Sequence, residues 1–378
     1  MLKPSRIPLQ VPTFGDEEAD AVNQVMRSGY LTMGSKVREF EAAWAKYCGR
    51  KHGIMVNSGS SANLVVLTAL RITRLWKDGY EVHTPALTWA TALFPIVQAG
   101  MFPVLEDVEA GTWNMPPVGI FNVPVALLGN PADIMDDATI PLLLDACEAH
   151  GAMIGNRNIG SFGLAATFSF FFSHHITTIE GGMIVTNDDD LAEVCRSLRA
   201  FGWARENRDY KEMGEKYPDI DPRFLFLWPG YNVRPTEIQA VMGLCQLPKL
   251  EGLIAKRREN AAYWNGELDR WNEWLFHQTE APGTRHSWFA YPLMVKPGAP
   301  FTRKDLQDFL ESKGVETRPI EAGNMALQPA MQYIKHRVAG KLPNANYIHH
   351  NAFFWGAGVT EQEREVMAGY VDEFCRRY

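Results

Sequence analysis

The alternation of short apolar strands with apolar helices most constrains how this chain can fold. Each strand-like run is followed by a helical pattern or by a polar loop. Strands joined through helices run parallel, because such right-handed crossovers return the chain to the same end of the sheet. We therefore predict an α/β fold with a large, mainly parallel sheet. The strand-like runs lie at residues 53–56, 81–84, 103–105, 142–144, 167–171 and 183–186, and the first helical runs between them at 64–70 and 89–98.

The character of the sequence changes after residue 250. A long charged helix is predicted there, followed by strand-like pieces near residues 287–295, a helix at 302–313 and a closing helix from Thr360. The chain has 378 residues, which is enough for two hydrophobic cores. We predict a large domain at residues 1–250 and a smaller C-terminal α/β domain at residues 251–378.

The composition argues against several classes of function. The net charge is −7, so we expect no basic face for nucleic acid. The five cysteines are scattered without a CxxC pair, which is typical of reduced thiols and not of a metal site or a disulfide framework. The most apolar stretches are far shorter than the ~20 residues that span a bilayer. We expect a cytoplasmic protein with no metal and with neither nucleic-acid nor membrane partners.

Two segments indicate ligand chemistry, although each also has a structural interpretation. Residues 57–63 (Asn-Ser-Gly-Ser-Ser-Ala-Asn) lie between a strand and a helix, where small residues and free amide groups can bind an anion. Asp145 follows a buried strand, at the sheet edge where α/β proteins bind ligands, and could pair with a cationic heterocycle. Either segment could instead be only a helix cap.

A third segment, residues 167–182, places two histidines in a polar loop before a glycine pair. His174 and His175 are adjacent there, and adjacent histidines in such a loop are less readily explained by structure alone. No further His, Asp or Glu at ligand spacing accompanies them, so a metal site is disfavoured. An imidazole can instead transfer a proton near neutral pH.

Taken together, these pieces resemble the sugar aminotransferase family of fold-type I pyridoxal-phosphate enzymes, which modify nucleotide-linked deoxysugars. The resemblance covers nearly the whole chain and implies the fold-type I architecture, with a seven-stranded type of sheet in the large, cofactor-binding domain. The matching motifs lie at residues 28–34, 40–41, 58–60, 84–89, 145–146, 169–170, 180–182 and 230–234.

The resemblance implies a role for individual residues. Gly59, Ser60 and Ser169 would hold the phosphate of pyridoxal 5′-phosphate (PLP), Trp89 would stack on its ring, and Asp145 would pair with the ring nitrogen. Glu148 would also contact the ring, although its position departs from the usual pattern. Asn232 would reach the cofactor phosphate of a neighbouring subunit, which implies a homodimer with shared active sites.

The chain departs from this family at the residue that binds the cofactor covalently. The family places a lysine six residues before the glutamate of the EGG motif, but here that position is His174, and no lysine occurs between Lys77 and Lys211. An imidazole cannot form the covalent link, but it can move a proton. This exchange of lysine for histidine, together with the segments 199–203 and 314–324, resembles the sugar 3-dehydratases of the family that work without an iron–sulfur cluster.

That resemblance implies removal of the C3 hydroxyl of a nucleotide-linked 4-keto-6-deoxysugar of the GDP-4-keto-6-deoxymannose type. The resting cofactor would be pyridoxamine 5′-phosphate (PMP), regenerated by glutamate. Arg318 and Asn324 could contact the substrate, and His175 is expected to be structural or a substrate contact. Two alternatives stay open: an aminotransferase that works without a covalent lysine, and a non-catalytic protein that kept the fold and the ligand.

Overall fold

A computed structural model describes residues 6–131 and 141–378 of the chain. None of the described helices is both long and apolar enough to cross a membrane. The helices are α1 (Asp16–Ser28), α2 (Ser35–Cys48), α3 (Gly59–Thr73), α4 (Ala90–Gln98), α5 (Asp189–Leu198), α6 (Tyr210–Lys216), α7 (Glu237–Gln246), α8 (Leu250–Leu268), α9 (Arg303–Ser312), α10 (Pro343–Asn351) and α11 (Glu361–Cys375).

The strands form one large sheet, one small sheet and a short three-stranded ribbon. Their bounds are β1 (His52–Val56), β2 (Glu81–Pro85), β3 (Phe102–Glu106), β4 (Leu143–Asp145), β5 (Met153–Ile154), β6 (Arg157–Asn158), β7 (Ala165–Ser169), β8 (Gly182–Thr186), β9 (Leu275–His277), β10 (Thr284–Arg285), β11 (Ala290–Val295), β12 (Thr317–Pro319), β13 (Arg337–Val338) and β14 (Ala352–Gly356).

The large sheet is mainly parallel, as predicted. In the described residues its order is β1-β8-β7-β4 on one side and β2-β3-β13 on the other. The segment 122–125 joins the two halves, because Asn122 forms parallel bridges to His83 and Leu142 and Val125 forms one to Asp145. Counting this segment, seven strands precede β13 across the sheet. Among the strands of this sheet that the structure describes, β8 alone runs antiparallel to its neighbours, β1 and β7.

The carboxyl ends of the parallel strands meet at one edge of this sheet. Ser58, which follows β1, caps α3 at that edge, and Asp145 and Ser169 end β4 and β7. Helix α2 covers one face of the sheet, and its buried Trp44 contacts the rings of Phe168 and Phe170. The fold thus places the three predicted ligand segments side by side.

The small sheet is antiparallel and has the order β12-β14-β11-β9. Its core contains Trp264, Tyr291 and Trp355, whose rings contact one another. The chain crosses between the two predicted domains, since Ile7 bridges Val315 and β13 pairs with β3 of the large sheet. The domain boundary near residue 250 stays a prediction.

Several element bounds predicted from the sequence are wrong. Helix α3 begins at Gly59 and not at residue 64, because Ser58 Oγ accepts a hydrogen bond from the amide of Ser61 and caps the helix early. Strand β7 ends at Ser169, so the following phenylalanines lie outside it. Helix α6 lies in the region 202–229, where no element is predicted from the sequence. The strand-like segment 122–125 was missed because two of its four residues are asparagine and proline.

Candidate active site

A cavity of about 600 Å³ opens at the carboxyl edge of the large sheet. The small domain closes its other side through Phe289, Arg318 and Glu321. This volume lies within the usual range of small-molecule sites. Of the residues singled out from the sequence, the cavity is lined by Gly59, Ser60, Trp89, Asp145, Glu148, Ser169, His174 and Arg318, but not by Asn232 or Asn324.

The first turn of α3 provides an anion-binding surface inside the cavity. Because the amide groups of a first helical turn have no intrahelical acceptor, those of Gly59 and Ser60 can bind an anion. Ser60 is exposed, and Ser169 approaches from the end of β7. Gly59 is needed for this close approach, since a Cβ atom there would lie 2.7 Å from Ser169 Cβ and 2.9 Å from Cys147 Sγ. This geometry fits the predicted phosphate cradle.

We predict that Gly59→Ala weakens both folding and anion binding. The added methyl group would push Ser169 and Cys147 away, and such overpacking typically lowers the free energy of unfolding by about 1–3 kcal/mol. Urea denaturation and phosphate-dependent stabilisation measure the two effects. The control is Gly252→Ala in α8, where nothing lies within 4 Å of the new atom. Equal effects of the two variants would contradict the proposed crowding.

Asp145 is a buried carboxylate held by two donors. Its Oδ1 accepts from the amide of Cys147 at 3.1 Å, and its Oδ2 accepts from Asn63 Nδ2 at 2.8 Å. The hydroxyl of Thr167 donates to Asn63 Oδ1 at 2.6 Å and so fixes the orientation of that amide. Burial raises the pKa of Asp145. A carboxylate in this position gains most from a cationic partner, which fits a protonated pyridine nitrogen.

Trp89 offers a flat, accessible ring at the mouth of the cavity. It lies immediately before α4, and 54% of the residue is exposed. A tryptophan that is this exposed and lines the cavity is a suitable surface for stacking an aromatic ligand. The predicted stacking role is consistent with this position, and it stays a prediction.

His174 points into the cavity from the loop after β7. Its Nδ1 is buried and has no hydrogen-bond partner among the described residues. Burial, with a smaller effect from the charge of Arg257, lowers its pKa to about 3. The imidazole is therefore neutral at physiological pH, with a lone pair available to accept a proton.

His175 turns away from the cavity and is fully buried. Because a carbonyl oxygen can only accept, Nε2 of His175 is the donor in its 2.9 Å hydrogen bond to the Ser287 carbonyl. The structure thus gives the two adjacent histidines different surroundings, and the structural interpretation of His175 is the better supported one.

Glu148 faces a second carboxyl group that the sequence did not indicate. Its Oε2 accepts from the amide of Leu128 at 2.6 Å, and its carboxyl group hydrogen-bonds to that of Glu321. Burial, followed by the neighbouring Glu321, raises the pKa of Glu148 well above its usual range, and burial raises that of Glu321 as well. Two carboxyl groups in contact hold a shared proton more tightly than either alone. Glu321 was missed because the contact joins residues 173 positions apart.

We predict that this pair makes the unliganded protein less stable as the pH rises. A group whose pKa is raised in the folded state stabilises fully below its unfolded pKa, and the contribution is lost as the pH rises through the folded value. In Glu321→Gln the amide donates to Glu148 at every pH, so urea denaturation between about pH 5 and pH 8 should show a smaller loss than in the wild type. Each unit of pKa difference is worth about 1.4 kcal/mol. Glu215→Gln, in exposed α6, is the control, and parallel curves for all three proteins would refute the shared proton.

The other predicted site residues occupy different surroundings. Arg318 lines the cavity, but its guanidinium also pairs with Glu316 at 2.7 Å. Asn324 is buried, donates to Asn346 Oδ1 at 2.7 Å and caps a short helical turn. The geometry therefore does not bring Asn324 to the cavity, and its predicted substrate contact lacks structural support. Asn232 is exposed outside the cavity, so any contact with a cofactor would have to be made in another subunit.

Comparison with protein families identifies the chain. Residues 12–366 match the model of the DegT/DnrJ/EryC1/StrS aminotransferase family. This chain belongs to that family. The match spans both predicted domains, and it confirms the resemblance and the fold class inferred from the sequence motifs.

Individual relatives are similar over almost their full length. GDP-4-keto-6-deoxy-D-mannose 3-dehydratase of Yersinia pseudotuberculosis is 36% identical over 92% of this chain and 93% of its own. A crystal structure of GDP-4-keto-6-deoxymannose-3-dehydratase, a histidine-to-asparagine mutant with bound GDP-perosamine, superposes with a TM-score of 0.89 at 35% identity, covering 96% of this chain and 99% of that one. A structure of GDP-4-keto-6-deoxymannose-3-dehydratase with a trapped PLP-glutamate geminal diamine has a TM-score of 0.88 at 33% identity, with coverage of 96% and 99%.

Proposed function

We propose that this protein is a PLP- and PMP-dependent nucleotide-sugar 3-dehydratase. Its substrate would be a nucleotide-linked 4-keto-6-deoxysugar of the GDP-4-keto-6-deoxymannose type, and glutamate would regenerate PMP. One observation carries the proposal: His174 lines the cavity at the position where the family has its lysine, and no lysine is among the described residues that line it. The named activity of the similar proteins supports the same conclusion.

The residues present can hold the cofactor without a covalent bond. Gly59, Ser60 and Ser169 would bind the phosphate, Trp89 would stack on the ring, and Asp145 would keep its nitrogen protonated. When bound, the cofactor supplies an electron sink in the protonated pyridine ring. The covalent link is replaced by the anion site at α3 and by the buried carboxylate, which together fix both ends of the ring.

His174 would act as the base and then as the acid of the dehydration. Its imidazole is unprotonated at neutral pH and can take a proton from a carbon atom in the cavity. Once protonated, a group with so low a pKa is a good proton donor, and the departing C3 hydroxyl needs one proton to leave as water. Because no lysine lines the described cavity, water and not a protein amine would release the product.

The decisive experiment measures what the protein makes from a nucleotide-linked 4-keto-6-deoxysugar. With PMP bound, we expect one 3-deoxy-4-keto sugar and one ammonia for each substrate consumed, and glutamate should convert bound PLP back to PMP, seen as a change of its absorbance. A 4-amino sugar without ammonia would indicate an aminotransferase. No turnover of GDP-, dTDP- or UDP-linked sugars despite cofactor binding would indicate a non-catalytic relative.

We further propose a homodimer in which each site borrows Asn232 from the other subunit, and a cytoplasmic location. Large apolar side chains are exposed on the described chain, among them Tyr30, Ile179, Phe226 and Phe171, the last of which lines the cavity. Exposed apolar side chains of this size favour a protein interface. Asn232 lies in the same region of the chain as Phe226, outside its own cavity.

Mixing two inactive variants tests the shared site. His174→Asn removes the base, and Asn232→Asp places a negative charge against the cofactor phosphate. If Asn232 acts across a two-fold interface, refolded mixtures should recover about a quarter of wild-type activity, since half the dimers are mixed and each has one intact site. Activity that stays at the level of the single variants would place Asn232 outside the partner's site.

A further inference from the structure

The segment 286–289 of the small domain lies directly against the histidine loop. The ring of Phe289 meets that of His174 edge-on, with the ring centroids 5.1 Å apart and an angle of 85°. The carbonyl of Ser287 accepts the hydrogen bond of His175 Nε2. This one segment therefore contacts both histidines.

The segment is itself held in a strained conformation. Trp288 has φ of 51° and Leu128, on the facing loop, has φ of 56°. The amide of Phe289 donates to the Leu128 carbonyl at 2.8 Å, and that of Ser287 donates to the Gly129 carbonyl at 2.9 Å. Non-glycine residues in the left-handed region are unfavourable, and they persist where surrounding contacts enforce them, which is often beside active sites.

Arg257 of α8, which is not among the residues that line the cavity, binds the backbone of this segment. Its guanidinium donates to the Phe289 carbonyl at 2.6 Å, to the Trp288 carbonyl at 3.3 Å and to Gln10 Oε1 at 3.4 Å. The residue is 3% exposed, and no described carboxylate lies within ion-pair distance of it. A buried charge with only neutral acceptors is costly, so this arrangement is unusual for a purely structural arginine. The buried Arg364, by contrast, pairs with Glu259 and Glu361.

The charge of Arg257 acts on a group of three buried imidazoles. His150 and His175 lie beside His174, with ring centroids 5.9 Å between His150 and His174 and 5.3 Å between His150 and His175. Burial and then the positive charge of Arg257 lower the pKa values of His174 and His175. For His150 burial is again the largest cause. The acidic groups that line the same cavity are Asp145, Glu148, Glu180 and Glu321.

We propose that Arg257 is a positioning residue for His174, holding the 288–289 carbonyls so that Phe289 fixes the orientation of the imidazole. Its charge also opposes protonation of that imidazole, so the base is free when substrate arrives. The catalytic consequence rests on the proposed dehydratase function, but the effect on His174 itself does not.

The test compares Arg257→Met with Arg364→Met in the full-length chain, with and without PLP. Titration of the ¹³C-labelled histidine rings by NMR follows His174, whose signal is assigned by its loss in His174→Asn. Arg257→Met should raise the pKa of His174, because the variant removes the positive charge that opposes protonation of the imidazole. Arg364→Met should lower stability but leave this titration unchanged.

Two further variants separate geometry from charge. Arg257→Lys keeps the positive charge but loses the planar guanidinium that binds two carbonyl groups. It should therefore leave the pKa of His174 unchanged and shift the NMR signal of the His174 ring. Phe289→Leu should move the same signal with Arg257 intact. In an active enzyme, Arg257→Met should lower kcat about tenfold with little change of KM, and move the acid limb of its pH profile upward.

The outcomes distinguish this inference from the proposed function. If the His174 signal and titration are unchanged in Arg257→Met, or change equally in Arg364→Met, Arg257 is only structural and the inference is wrong. If they change as expected but no nucleotide sugar is dehydrated, the proposed function fails while the role of Arg257 toward His174 stands. Should Arg257→Met not fold, Arg257→Lys decides the positioning role: a shifted His174 ring signal supports it, and an unchanged signal overturns it.

Discussion

Replacing His174 by lysine is expected to give the protein a covalent bond to PLP that the wild type cannot make, and to abolish dehydration. The lysine amine would reach the cavity at the position of the imidazole, whose Nδ1 has no hydrogen-bond partner in the described part of the chain. Loss of the proton-transfer group should lower the dehydration rate by about 10²–10⁴-fold. Borohydride reduction followed by mass spectrometry of the intact chain detects the new bond, and ammonia release measures the reaction.

His174→Asn is the matched control for that experiment. It removes the base and adds no amine, so it should lose dehydration and bind PLP without a bond that borohydride can trap. Together, the lysine and asparagine variants separate the two properties that depend on the residue at position 174, covalent binding of PLP and proton transfer. Full dehydration by either variant would remove His174 from the mechanism, and a trapped bond in the wild type would mean that some distant lysine reaches the cavity.

Replacing Asp145 by asparagine should nearly abolish activity and remove most of the stabilisation that PLP gives the protein. Asparagine has almost the same shape but cannot hold a positive ring nitrogen, and losing one partner of a buried charge pair typically costs about 2–5 kcal/mol. We expect at least a 10²-fold loss of turnover, and the stabilisation that PLP gives the wild type should largely disappear. Thermal unfolding with and without PLP, together with turnover, measures both effects.

The PLP-dependent part of the stability makes the interpretation clear. The side chain of Asp145→Asn has only one acceptor oxygen for the amide of Cys147 and Asn63 Nδ2, so the unliganded variant should lose about 1–3 kcal/mol of stability, and the test is whether PLP still stabilises it. Asn63→Ser is the control, because it removes one hydrogen bond and keeps the carboxylate. The turnover of Asn63→Ser should fall by no more than about tenfold, which corresponds to the free energy of one such hydrogen bond. A variant Asp145→Asn that turns over normally would refute the pairing with the ring.

Much of the site could be predicted because its residues follow strands of a parallel sheet. The turn after β1 and the last residues of β4 and β7, Asp145 and Ser169, reach the same edge in any such sheet, and the structure brings all three to one cavity. His174 could be found because the family motif fixes its distance from Glu180. Prediction from the apolar pattern gave the wrong start for α3. Ser58 caps this helix several residues before the apolar run begins.

The partners of these residues could not be predicted. Glu321 meets Glu148, Asn63 meets Asp145, and Arg257 reaches the Phe289 carbonyl, yet each pair is far apart in the chain. Nothing near Asn324 in the sequence shows that Asn346 occupies its amide. Long-range contacts of this kind depend on how helices and the small sheet pack, and no periodic pattern encodes them.

The sequence by itself determined the α/β class, the family and the exchange of lysine for histidine, because each rests on residue types at fixed spacing along one stretch of chain. Only the tertiary structure decided which groups surround the imidazole. Burial, the Phe289 ring and the charge of Arg257 come from three separate elements. Their distances to His174 set whether that side chain is neutral and how it points, and distance in space is fixed only when the elements have packed.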